Sequence, residues 1–192
     1  MRLYLLVTIF SLLCFTLNIS SCKKDRADEK NNMEPVGIEE PVKPYDFEAE
    51  KAGESSKVKS ARTKALVQFA LKYLEKNGRE KTLDAINNPK NRDHQKFIDG
   101  ESYIWVFQTD YNSKAIVVAH AVNNTLIGKE WYDVKDPDGK QFFHDILRIS
   151  ENKGEGWVLY RWAHPELKKA MPKVTYFKKS GDLIFNNGFY LE

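Results

Sequence analysis

The chain has 192 residues, with 30 Lys+Arg against 27 Asp+Glu and a formal net charge of +3. A balance this close to neutral gives no electrostatic footprint for nucleic acid. The two cysteines, Cys14 and Cys22, both lie near the start, which excludes a disulfide framework, a CxxC redox pair and a thiolate metal site in the rest of the chain.

Arg2 supplies a short positive region, Leu3 to Leu17 form an apolar run, and Ile19-Ser20-Ser21-Cys22 follows. The run has the length of an export signal and is shorter than the roughly 20 residues of a spanning helix. Its end resembles the lipobox of bacterial lipoproteins, which implies cleavage after residue 21 and lipidation of Cys22. Cys14 and Arg2 would leave with residues 1–21. Residues 22–57 mix charges of both signs with Pro35, Pro41 and Pro44 and sparse apolar residues. They read as a solvated tether. Residues 58–192 suit one domain.

Within it, Leu66, Phe69, Ala70, Tyr73 and Leu74 recur on one helical stripe, so residues 60–76 are predicted to be a helix, with Ser60 as N-cap and Asn77-Gly78 as the stop. A short helix is expected over 79–87, then a loop through 88–96. Strands are expected at 102–109 and 115–121, joined by a turn at 110–114. A long connection over 122–139 leads to a helix at 140–150, ended by Gly154 and Gly156. Three more strands are predicted at 157–162, 173–179 and 183–191. The order gives an α+β fold with an antiparallel sheet of about five strands, a long N-terminal helix and a helix-bearing excursion.

Period-2 alternation puts Val158, Tyr160 and Trp162 on one face and Trp157, Leu159 and Arg161 on the other. Lys173 and Tyr176 fall on opposite faces unless Pro172 makes a bulge. The four histidines, at 94, 120, 144 and 164, lack close-set ligand spacing, so no metal site is expected. Asp136-Pro137-Asp138-Gly139 has part of a calcium-loop pattern but lacks its first ligand, and reads as a turn. No nucleophile elbow, phosphate loop or zinc motif is present, so neither catalysis nor a cofactor is expected.

Several phrases in order, "YLEKNGREKTLDAINNPKN", "FIDGESYIWVF", "VVAHAVNNTLIGKEWYDVKDPDGKQFF", "GEGWVLYRWAHPELKKAMPKVTYFKK" and "DLIFNNGFYLE", resemble the single Cache domain of the second type. That is a PAS-like extracytoplasmic sensor of bacterial chemoreceptors and sensor kinases. The resemblance implies a small-ligand pocket between the sheet and the excursion. Its expected lining is Tyr160 and Trp162 first, then Tyr176 slightly ahead of Lys173, with His120, Tyr103 and Trp105. Trp157 is expected in the core. A short organic acid is the implied ligand, since a carboxylate needs a cation such as Lys173 or Arg161. Family members often have Pro after the residue matching His120, then Asn-Pro; here Ala121-Val122-Asn123-Asn124 stand instead. The chain ends at Glu192 with no second hydrophobic run, which implies a tethered periplasmic or surface sensor acting through a separate sensor kinase or chemoreceptor. The competing expectation is a structural or assembly lipoprotein whose pocket its own side chains fill.

Overall fold

A computed structural model describes residues 54–109 and 114–191. Cys22, the leader, nearly all of the tether and most of the expected 110–114 turn lie outside the described residues.

Helix α1 (Glu54–Asn77) begins earlier than the sequence pattern suggests. Ser60 is not its N-cap: the hydroxyl donates to Lys57 O, one turn back inside the helix. Thr63, Val67 and Ala70 form the fully buried line of α1, flanked by half-buried Leu66, Phe69 and Leu74. At Gly78 the backbone turns left-handed (φ 80°), a conformation that favours glycine, and α2 (Arg79–Asn87) follows with the predicted bounds.

The expected strand at 102–109 is split. Residues 98–99 and 102–103 form a small hairpin, β1 and β2, turned at Gly100, before β3 (Trp105–Thr109). The break falls at Ile104, whose N–H donates to Phe97 O while its carbonyl accepts from Ala121 N–H. Then come β4 (Ala115–His120), the excursion, α3 (Phe142–Lys153), β5 (Glu155–Ala163), β6 (Ala170–Ser180) and β7 (Leu183–Tyr190). Gly154, left-handed at φ 76°, ends α3 as predicted. Gly156 instead lies inside β5, because α3 packs against it there: a Cβ would sit 2.7 Å from Ile149 Cγ2.

The five long strands form one antiparallel sheet in the order β4-β3-β7-β6-β5. One face carries α1 and α2 over Ile104, Val106, Trp157, Val174, Tyr176 and Phe185. The other lies under α3 and the excursion, with Trp105, Phe107, Val158, Tyr160, Phe177 and Ile184. β3 and β7 are buried on both faces, as their near-continuous apolar runs require. The excursion reaches both edges of the sheet. Gly128, Lys129 and Trp131 exchange backbone hydrogen bonds with Val117 and Ala115 on β4. At the far side Asp136 accepts from Arg161 N–H of β5 (2.9 Å), and Lys140 Nζ donates to Leu159 O (2.7 Å).

Candidate functional site

The face under the excursion brings six of the seven expected lining residues to one side of the sheet. Tyr160 and Trp162 alternate on β5 as predicted, and strand pairing sets Tyr160 opposite Lys173 and Lys173 opposite Tyr190. Trp105 pairs with His120 on one side and Asn186 on the other.

Tyr176 is the exception, and its placement corrects the expected order. The β5–β6 register runs without a shift through Arg161 and Pro172, so there is no bulge to rotate it. Tyr176 therefore faces α1, packs on Trp157 (5.1 Å between centroids) and donates to Glu155 Oε2. Burial, followed by the Glu155 hydrogen bond and charge, pushes its phenol up. Trp157 is in the core as expected. Arg161 lies on the edge strand, near Asp138 and donating to Ala170 O, away from the cluster.

Lys173 is the charged centre. It is 2% exposed. Its Nζ lies 3.3 Å from the Tyr103 hydroxyl and about 5 Å from the ring centroids of Tyr103 (4.8 Å) and Tyr190 (5.0 Å). A buried ammonium is ordinarily paired with an acid. The ion pairs among the described residues give Lys173 no carboxylate. Two rings and a hydroxyl stand in for it.

His120 completes this corner. Its ring lies 4.9 Å from Tyr103, and its Nδ1 accepts from the N–H groups of Asn123 (3.0 Å) and Val122 (3.4 Å). In the neutral ring that leaves Nε2 as donor. Desolvation, reinforced by the Lys173 charge, lowers its pKa to about 4. The Ala-Val-Asn-Asn loop after it is satisfied locally: Asn123 Oδ1 accepts from Thr125 N–H, and Asn124 Nδ2 donates to Asn87 O.

Above the sheet, rings touch in series: Trp105–Phe143 (5.7 Å), Phe143–Phe142 (4.6 Å) and Phe142 stacked on Tyr160 (4.0 Å, 3° between planes). Trp131 of the excursion meets both Phe143 and Trp162. Between Trp105 and Tyr160 the sheet carries small and polar residues: Asn186 and Gly188 on β7 and Thr175 on β6. Tyr160 OH and Thr175 Oγ1 are 3.0 Å apart, and burial drives the Tyr160 phenol up. Gly188 is there for space: a Cβ would lie 2.4 Å from Thr175 Oγ1, 2.7 Å from Val174 O and 3.1 Å from Lys173 Cε. The lysine stem thus lies against a gap that only glycine leaves. Sequence reasoning missed Gly188, Tyr190, Thr175 and Asn186. The signal for the first was an isolated glycine within an apolar strand, which marks a close approach.

An open groove of about 640 Å³, lined by Lys72, Tyr73, Lys76, Arg92 and Asp93 among others, lies beside α1. Its carboxylate, Asp93, is already held by Tyr73 OH and Lys96 (both 2.8 Å). The cluster around Lys173, where a charge is buried without an acid, has the stronger chemistry. No group of His, Cys, Asp and Glu able to hold a metal occurs among the described residues.

Comparison with known proteins agrees with this fold. The Cache domain family model (dCache_2) matches residues 61–185. The methyl-accepting chemotaxis protein McpP of Pseudomonas putida is 27% identical over 96 residues, 49% of this chain and 17% of McpP. The chain thus spans about a sixth of the length of that curated relative. Among solved structures, one described as the structural basis for carboxylic acid recognition by a Cache chemosensory domain superposes with a TM-score of 0.56 at 23% identity, covering 73% of this chain and all of that one. A periplasmic sensor domain of a chemotaxis protein gives 0.54 at 20% identity over 73% of this chain and all of that one. A methyl-accepting chemotaxis protein of Vibrio parahaemolyticus gives 0.54 at 18% identity, over 72% of this chain and 93% of that one.

Proposed function

The chain belongs to the Cache domain family, and from that membership we propose that it is an extracytoplasmic sensory module for a short carboxylate, bound at Lys173. One observation carries the reading: Lys173 is buried, and its close partners are two tyrosine rings and a hydroxyl. An incoming carboxylate would supply the missing charge. Tyr103 OH and His120 Nε2 are the donors to its oxygens, and Trp105, Tyr160 and Trp162 the apolar walls. A relative whose structure is described in terms of carboxylic acid recognition supports this ligand class by analogy of fold. The proposal extends to a single-Cache module on a lipid tether at Cys22, reporting to a separate sensor kinase or chemoreceptor. No described helix is long and apolar enough to cross a membrane.

The Phe142–Tyr160 stack favours a second reading, a face filled by its own rings with a structural role. Thermal shift with propionate separates the two. Ligand at a hundred times its dissociation constant stabilises by about 2.7 kcal/mol. We expect that gain in the unmodified protein and its loss in Lys173→Gln. If neither propionate nor other short carboxylates shift the midpoint, the structural reading stands.

A further inference from the structure

We propose that the open groove beside α1 is a docking site for the chain's own acidic segment, residues 39–50, and that Glu39 and Glu40 pair there with Lys72 and Lys76. This is independent of the carboxylate reading of Lys173. The groove is lined by the cations Lys72, Lys76, Arg92 and Lys96 and by one acid, Asp93. That acid is already engaged: it accepts from Tyr73 OH and Lys96 Nζ (both 2.8 Å) and lies 3.8 Å from Arg92 Nε. The ion pairs among the described residues give Lys72 and Lys76 no carboxylate. These two lysines are exposed and stand four positions apart on one face of α1, where like charges repel. An anion between them turns that repulsion into attraction. The half-buried rings of Phe69 and Tyr73, 6.1 Å between centroids, give the groove an apolar floor.

Residues 39–50 fit this groove in charge and in reach. They carry Glu39, Glu40, Asp46, Glu48 and Glu50 against Lys43 alone, with Val42, Tyr45 and Phe47 set among the acids. The segment lies outside the described residues and ends shortly before α1 begins at Glu54. At about 1.5 Å per residue, α1 carries Lys72 about 27 Å and Lys76 about 33 Å from Glu54. An extended chain of about 3.3 Å per residue lets Glu40 reach back about 46 Å, but Glu48 only about 20 Å. Running back along α1, the Glu39–Glu40 pair therefore reaches both lysines with slack, and Glu48 and Glu50 stop short. Surface ion pairs are weak singly. Here the contact is intramolecular, at an effective concentration on the order of millimolar, so several weak pairs suffice. A second copy of the chain or a lipid surface would bring its anions without that advantage.

Zero-length cross-linking of the purified full chain with a carbodiimide tests this, since the reagent joins a carboxylate to an amine only where the two touch. Mass spectrometry of the digest should find Glu39 or Glu40 joined to Lys72 or Lys76, with the Lys178–Glu155 pair as the internal control that the reagent has acted. In a mixture of isotope-labelled and unlabelled chains, both halves of each joined peptide should carry the same label. The link should be lost at about 1 M salt, where the screening length is about 3 Å. Arg92→Glu should cut its yield severalfold while leaving both reacting groups in place; that side chain is 93% exposed, so the fold does not depend on it. Absence of the link in the unmodified chain, with the control pair joined, would overturn the inference. Absence together with sedimentation on phosphatidylglycerol vesicles that Lys76→Glu abolishes would give the groove to a lipid surface instead. Peptides of mixed label would make the occupant a second copy. A link that survives high salt and Arg92→Glu alike would show that the groove's charge does not hold the segment.

Discussion

His120 is buried where a charged imidazole would sit against Lys173, and that gives it a pH signature. Its folded pKa is about 4, against an ordinary 6.5. As pH falls through 6.5 the unfolded chain takes up a proton that the folded one refuses, so stability is lost from there down toward 4. The loss attributable to this residue should reach about 2 kcal/mol at pH 5. Urea unfolding at pH 7 and pH 5 checks it: His120→Gln should be less sensitive to this change than the unmodified protein by that amount. Equal sensitivity would mean that His120 is not the group refusing the proton.

At this scale the sequence was legible where alternation was strict. Tyr160, Trp162 and Trp157 fall on the faces that a period of two assigns. The same rule separated Lys173 from Tyr176, and the regular register across Pro172 upheld it. Placing Tyr176 beside Lys173 needed a bulge at Pro172 that the register does not contain. Lys173's isolation from acids was not legible, because it depends on what three other strands and the β1–β2 hairpin bring near it.

Among the elements, one carboxylate of the excursion both shapes its turn and ties it to β5. Asp136 is 6% exposed and accepts three backbone N–H bonds, from Arg161, Lys140 and Asp138. Burial opposes its ionisation, but those three donors outweigh it and hold the carboxyl below its ordinary range. Two of the bonds shape the Asp-Pro-Asp-Gly turn, which the sequence announces. The third ties that turn to β5 and could not be foreseen, since it spans 25 positions. Asp136→Ala should cost about 2–3 kcal/mol in urea unfolding, and Asp136→Asn less, since one oxygen can still accept. A cost below about 0.5 kcal/mol, the level of an ordinary surface change, would show that the clasp is unimportant.

For the whole molecule, element order was readable because helical and strand periods alternate cleanly between 60 and 191. The small hairpin at 98–103 was not, because two-residue strands carry no periodicity. The proposed relation to the membrane rests on Cys22. Labelling cells with a clickable fatty-acid analogue should mark the chain and leave Cys22→Ala unmarked and released from the membrane fraction, because stable attachment needs more than one acyl chain or a second signal. A Cys22→Ala chain that stays with the membrane would refute the lipid tether.

The excursion that crosses the proposed binding face also occupies the outward backbone of both edge strands, at Ala115 and Val117 on one side and Leu159 and Arg161 on the other. An uncovered edge is a template on which another chain can add a strand. The segment that roofs the proposed binding face thus also guards the sheet against aggregation. Changes that reshape this roof to suit a new ligand are constrained to keep both edges sealed, so drift in specificity here is coupled to solubility.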